Sequence, residues 1–253
     1  MLNKRRRLFL ASLTALFPLN LYADKLSTNN VQLLYGTNYA DDAGIDDKEK
    51  LIFSFEHFSA WKQGELFFFV DIANPTTAGT EHYAELSPRL SLSELFGDKP
   101  QNGIIKDYLI AATWEMADGA RTSLYGLGLA LNIAGFSSAN VNAYVRKSRR
   151  EFVNRDTDPG YQITLDWVYP LTVKNNRVIF EGFVDYAFSE DGGDSPKEDN
   201  LSTAPRILFD FSRMLSSPPE SIYAGIEYQI WRNKFGIDGV NENTVQVMIK
   251  WLL

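Results

Sequence analysis

The sequence predicts an all-β protein, a transmembrane antiparallel barrel of about twelve strands over residues 24–253, behind a signal peptide at residues 1–23. Three observations carry this: a tripartite export signal, apolar–polar alternation of period two through most of the chain, and a last segment that runs as a strand to the final residue. Hydrocarbon leaves no water to satisfy backbone N–H and C=O groups, so strands span a membrane only as a closed barrel. One face of such a wall meets lipid and the other meets the lumen, which imposes the alternation.

The export signal begins with the basic run Lys4, Arg5, Arg6 and Arg7, continues through the apolar stretch Leu8 to Leu21, and ends at Leu21-Tyr22-Ala23 before acidic Asp24. The apolar stretch is shorter than the ~20 residues a spanning helix needs, which favours a cleaved signal over an anchor. Leu21 is large for its place in a cleavage site. Removing Met1 to Ala23 takes away those four bases and no acid, so the net charge falls from -7 to -11. An acidic chain has no electrostatic reason to hold a nucleic acid polymer. With no cysteine, disulfides and thiolate metal sites are excluded. Five Trp, twelve Tyr and seventeen Phe suit the aromatic girdles of a barrel, although an aromatic-rich soluble β-protein has a similar composition.

The strands are expected at 30–38, 51–60, 65–73, 81–91, 104–117, 121–132, 139–152, 160–170, 176–189, 203–213, 221–233 and 244–253. In the second, Phe53, Phe55 and His57 oppose Glu56; in the third, Phe67, Phe69 and Asp71 point inward; in the fourth, Glu85 and Arg89 do. In the fifth, Tyr108, Ile110, Trp114 and Met116 oppose Asp107, Thr113 and Glu115, and in the sixth Arg121 and Tyr125 are expected inside. In the seventh, Val141, Ala143 and Val145 oppose Asn140, Asn142, Tyr144 and Arg146. In the eighth, Tyr161, Ile163, Leu165, Trp167 and Tyr169 oppose Gln162, Thr164 and Asp166. In the ninth, Val178, Phe180, Val184, Tyr186 and Phe188 oppose Arg177, Glu181 and Asp185, and in the tenth Ile207, Phe209 and Phe211 oppose Arg206, Asp210 and Ser212. The last is the clearest: Val245, Val247, Ile249, Trp251 and Leu253 oppose Gln246, Met248 and Lys250. Charges inside strands are foreign to a sandwich core and expected on the wall of a wet pore. Facing is least defined near Pro88 and Pro205, where a missing donor invites a bulge.

Asp41 to Asp47 and the long Ser189–Thr203 stretch are expected as outer loops, with tight turns such as Lys62-Gln63-Gly64 on the side of the termini. The Ser93–Gly103 connection is long for that side. The Asp41–Asp47 loop lacks EF-hand spacing, so a solvated acidic loop is expected rather than a calcium site. Neither HExxH nor GxSxG occurs, and Gly126-Leu127-Gly128 lacks the third glycine of a dinucleotide loop. His57 and His82 project outward as girdle residues. No enzyme, cofactor or metal site is expected.

The candidate substrate-binding residues all face the lumen: Glu56, Phe67, Phe69, Asp71, Glu85, Arg89, Asp107, Glu115, Tyr144, Arg146, Glu181, Asp185, Arg206 and Asp210. Arg150, Lys250 and Phe183 share that face. Opposite charges on the wall can pair simply to stabilise the barrel. Inward aromatic faces are harder to explain structurally, since a flat ring stacked on one is stabilised by about 1–3 kcal/mol in nucleic-acid complexes. Carboxylates and amides beside them can bond a ring edge or sugar hydroxyls. Twelve strands leave a lumen narrower than a 16–18-stranded porin, a slot that favours flat molecules.

The run Phe55-Glu56-His57-Phe58-Ser59-Ala60-Trp61, continuing through Gly64-Glu65-Leu66-Phe67-Phe68-Phe69-Val70-Asp71, and the run Tyr83-Ala84-Glu85-Leu86-Ser87-Pro88-Arg89-Leu90-Ser91 are similar to the "FEHxSGW…GDLFFFVD" and "YxExSPRLS" stretches of the Tsx-like nucleoside-specific channel family, which includes the OmpK outer-membrane proteins. The resemblance implies a monomeric twelve-stranded barrel in the outer membrane. It implies energy-free passage of nucleosides and deoxynucleosides and use by phage or colicin as a receptor; independently of the resemblance, the C-terminal strand is expected to engage the barrel-assembly machinery. It assigns Glu56, Asp71, Glu85 and Arg89 as motif positions. Ala60, Glu65 and Leu253 depart from the Gly, Asp and terminal Phe that the family often has. Two other functions fit the fold, a surface receptor or scaffold without specific transport and a lipid-acting barrel enzyme. The outward histidines and missing nucleophile speak against the second.

Overall fold

The computed structural model describes residues 26–40, 48–75, 79–97, 100, 103–150, 158–191 and 197–253. The export signal and the Asp41–Asp47 loop lie outside the described residues. The wall is built from β1 (Leu26–Tyr39), β2 (Lys48–Trp61), β3 (Gly64–Ala73), β4 (Glu81–Ser91), β5 (Ile105–Ala117), β6 (Ala120–Leu131), β7 (Ser138–Arg150), β8 (Gly160–Val173), β9 (Asn176–Phe188), β10 (Asn200–Thr203), β11 (Arg206–Asp210), β12 (Ile222–Arg232) and β13 (Glu242–Leu252). Every pairing is antiparallel, and β1 pairs with β13 from Asn30↔Leu252 to Gly36↔Gln246, so the sheet closes on itself without an edge.

Thirteen segments make twelve wall positions, because β10 and β11 both lie between β9 and β12. Pro205 causes the gap. It has no N–H to donate, so one ladder bond is lost there and regular strand breaks at Ala204-Pro205, although the Pro205 carbonyl still accepts from the Tyr228 N–H at 2.9 Å. The register does not slip: Thr203 opposes Val184 and Arg206 opposes Glu181 on one side, while Thr203 opposes Ile230 and Arg206 opposes Glu227 on the other. Pro88 is equally benign, since Leu86↔Trp114 and Arg89↔Ala111 belong to one continuous register. Neither proline flips the parity of its strand. The tenth strand starts at Asn200, so the end of the expected Ser189–Thr203 loop is wall. The long Ser93–Gly103 connection contains a short helix, α1 (Leu92–Phe96), whose N-cap Ser91 accepts from the Glu94 N–H and which ends at Gly97 with φ +84°.

The barrel is inverted relative to a soluble fold. Along β13, Val247 is 58% exposed and its neighbour Gln246 is 1% exposed; Val245, Ile249 and Trp251 share the outer face, and Met248 and Lys250 are buried inside. Outer-face rings gather in clusters, as membrane interfaces favour. Trp114 packs edge-on against Tyr125 and donates its indole N–H to the Tyr125 hydroxyl at 3.0 Å. Tyr161 and Tyr186 flank Phe188. Among the described residues no helix is long and apolar enough to cross a membrane.

On β6 the expected facing is reversed. Thr122 and Leu124 are buried inside, whereas Arg121 and Tyr125 are exposed on the outer face. The inward alternates include Gly126 and Gly128, which have no side chain to mark their face. A Cβ at Gly128 would lie 2.2 Å from the Asn142 amide oxygen, so the glycine makes room for that side chain.

Candidate functional site

The lumen is organised by three groups of ion pairs. In the first, Arg206 on β11 donates to Glu56 on β2 at 2.8 Å and to Glu227 on β12, with Glu181 on β9 at 3.7 Å. Lys250 lies 2.8 Å from Glu181 and 3.4 Å from Glu56. Amides complete the set: Asn30 donates to Glu56 at 3.1 Å, and Gln246 donates to Glu227 at 2.7 Å while accepting from the Tyr39 hydroxyl at 2.6 Å. Buried charges persist only when paired and hydrogen-bonded, and each of these is.

In the second group, Arg146 on β7 forms a two-pronged pair with Glu115 on β5 at 3.0 and 3.1 Å and donates to Gln162 at 2.6 Å. Glu190, just beyond β9, sits 3.5 Å from Arg146 and 2.5 Å from Lys197, which ties a loop to the lumen. In the third, Arg89 on β4 lies 2.6 Å from Glu65 on β3 and 2.8 Å from Asp166 on β8. Asn140 and Asn142 donate to the same Asp166 carboxylate at 2.6 and 3.4 Å.

Between these groups runs a strip of rings and carboxylates on β2, β3 and β4. Phe67, Phe69 and Tyr83 follow one another at ring-centroid distances of 5.7 and 5.6 Å. The register sets Phe69 between Glu56 and Glu85, Asp71 between Ser54 and Tyr83, and Phe67 between Phe58 and Ser87. Glu85 accepts from the Ser87 hydroxyl at 2.6 Å, and Asp185 on β9 accepts from Thr164 at 2.5 Å. Glu85 also stands directly opposite Glu115. Among the described residues Asp71, Glu85 and Asp185 make no salt bridge, unlike the other lumen carboxylates named above.

Of the fourteen candidates, Glu56, Glu181 and Arg206 meet in the first group, Glu115 and Arg146 in the second, and Arg89 anchors the third. Phe67, Phe69, Asp71 and Glu85 form the strip, with Asp185 on the β9 wall. Tyr144 is inside but packed against Ala111 and Leu124. Two candidates have other partners. Asp107 accepts from the Ser91 hydroxyl at 2.5 Å and the Ser93 N–H at 3.2 Å, tying α1 to the end of β5. Asp210 accepts from the Ser212 hydroxyl and from the Ser212 and Glu220 N–H groups at 2.9 and 3.2 Å, closing the β11–β12 turn. Strand-end carboxylates meet free turn N–H groups before they meet the lumen. Glu65, Glu227, Gln246 and Tyr83 were not among the candidates. Alternation beside Ile226 and Tyr228 marks Glu227, and parity with Phe67 marks Glu65. The Arg150 side chain lies outside the described residues.

Both histidines stay out of the lumen. His57 lies beside Asn29 and Ser59 at 2.8 and 3.1 Å, and exposed His82 lies 3.3 Å from Asp118 at a hairpin end. Among the described residues no group of metal-ligating side chains forms.

A family model described as nucleoside-specific channel-forming protein, Tsx, matches residues 29–248. No curated protein matches the sequence. Among solved structures, the chain is similar to KdgM porin in complex with disordered oligogalacturonate, at 10% identity and a TM-score of 0.47, over 88% of this chain and 98% of that one. KdgM porin alone gives 9% identity and 0.46, over 88% and 98%. A bacterial polysaccharide outer membrane secretin gives 10% identity and 0.42, over 89% and 98%.

Proposed function

The chain belongs to the nucleoside-specific channel-forming family Tsx, a passive channel barrel of the outer membrane, and on that premise we propose that it passes nucleosides and deoxynucleosides by weak, repeated binding along the strip on β2, β3 and β4. The observation that carries the reading is the alternation of rings with carboxylates and hydroxyls around Phe69. A base stacked on Phe69 has carboxylates on both flanks, Glu56 and Glu85, to accept from ring N–H groups or sugar hydroxyls. The Phe67 and Tyr83 rings supply the next stacking positions in either direction. Each contact is worth little enough to release the solute, as conduction requires.

Single-channel recording in planar bilayers tests this. Added thymidine or adenosine is expected to reduce the ionic current in a concentration-dependent way. Phe69→Ala removes one stacking face, worth about 1–3 kcal/mol per base, and is expected to raise the half-blocking concentration at least several-fold. A current indifferent to millimolar nucleoside, or a block unchanged by Phe69→Ala, would remove nucleoside binding on this strip.

A further inference from the structure

We propose that two ion pairs spanning the lumen, Arg89 with Asp166 and Arg206 with Glu56, act as crossbars that set the size limit of the channel. They confine passage to the sector between them, bounded by β2 to β4 on one side and by β8, β9 and β10/β11 on the other.

Counting β10 and β11 as one wall position, Arg89 and Asp166 stand four positions apart, and so do Arg206 and Glu56 when counted through β12, β13 and β1. At ~4.8 Å per strand, four steps follow at least about 19 Å of wall. Yet each pair closes to 2.8 Å. The contacts therefore cut across the open section as chords between walls a third of the way round the barrel, unlike the two-step contact of Arg146 with Glu115.

What lies beyond each crossbar is packed. On the flank of β11, β12, β13 and β1 beyond the Arg206–Glu56 pair, Leu34, Leu208, Tyr223 and Met248 form a buried apolar cluster, which Ile52 on β2 and Ile179 on β9 extend to the edges of the sector. Outside the Arg89–Asp166 pair, Ala111, Leu124 and Tyr144 form a second. Both clusters are built from inward side chains, so the barrel carries apolar packing on its two flanks. The sector left between them holds Phe67, Phe69, Asp71 and Glu85 on one wall and Asp185 on the other. The carboxylates without a salt bridge face this sector, as a hydrated path favours.

Arg89 is held from both sides, by Glu65 on its own wall and by Asp166 across the gap, so its position does not depend on one contact. A two-pronged guanidinium keeps such a span in place better than an ammonium does.

The inference rests on the channel reading but not on nucleoside selectivity, so KCl current alone tests it. Arg89→Ala and Asp166→Ala are each expected to raise single-channel conductance by about two-fold and to admit trisaccharides, in liposome swelling, that the parent excludes. The paired exchange Arg89→Asp with Asp166→Arg restores a crossbar and is expected to return conductance toward the parent value. Folding is checked by strand circular dichroism and heat-modifiable migration.

A second measurement does not depend on removing the pairs. The chain has no cysteine, so single cysteines report directly. A cationic methanethiosulfonate is expected to reduce current through Phe69→Cys and Asp185→Cys but not through Leu124→Cys or Met248→Cys. Unchanged conductance in folded Arg89→Ala and Asp166→Ala, or equal modification of all four cysteines, would overturn the proposal. Absence of current in parent and variants alike would remove the channel reading and this inference together.

Discussion

Replacing Arg206 with methionine tests whether the first ion-pair group is structural. Arg206 touches three carboxylates, Glu56, Glu181 and Glu227, and its side chain is 20% exposed. Glu56 and Glu181 keep Lys250 at 3.4 and 2.8 Å when the guanidinium is gone. Glu227 loses its one basic partner among the described residues and keeps the Gln246 amide at 2.7 Å. Breaking a buried pair from one side costs about 3–5 kcal/mol, and the two carboxylates that retain Lys250 place this case near the lower end, at about 3 kcal/mol. The assay is reversible urea unfolding in liposomes, followed by tryptophan fluorescence. Adding Glu227→Gln removes the stranded charge, so the double variant is expected to recover roughly 1–2 kcal/mol. A loss below about 0.5 kcal/mol, the value of a solvated surface pair, would refute the reasoning, as would a double variant no more stable than Arg206→Met alone.

Three further outcomes concern the lipid face, a packed glycine and the lumen carboxylates. Val247→Arg puts a charge on the lipid face in the middle of β13 and is expected to cost about 2–4 kcal/mol, measured by the same unfolding assay, with Val247→Leu near neutral. Gly128→Ala drives a methyl toward the Asn142 amide oxygen and is expected to destabilise by about 1–3 kcal/mol through overpacking, read as a lower urea midpoint. Asp71, Glu85 and Asp185 make no salt bridge among the described residues, so the reversal potential in a KCl gradient is expected to show cation preference, reduced by Glu85→Gln with Asp185→Asn; an unchanged potential would show that those carboxylates do not face the path.

The alternation on β13 and β8 was legible because two solvents impose it. Every odd residue from Val245 to Trp251 must be apolar outside, and the positions between them are free to carry charge. Facing failed on β6, where small alternates such as Gly126 and Gly128 leave no polar mark and Arg121 and Tyr125 read as inward. Alternation gave the facing of Asp107 and Asp210 but not their partners, since strand-end positions bring turn N–H groups within reach. Tertiary partners had no sequence signal of this kind. Arg89 meets a residue 77 positions away and Arg206 one 150 positions away.

What the amino-acid order determined by itself is the wall: its strand segments, its closure by the terminal strand, and in most segments which side chains meet lipid. Those properties arise from period-two contacts with two solvents and need only local pattern. What the tertiary structure alone decided is how the interior is divided. Closure and register bring strands four positions apart within reach across the interior, and only then do Arg89 and Asp166, or Arg206 and Glu56, become neighbours across the gap.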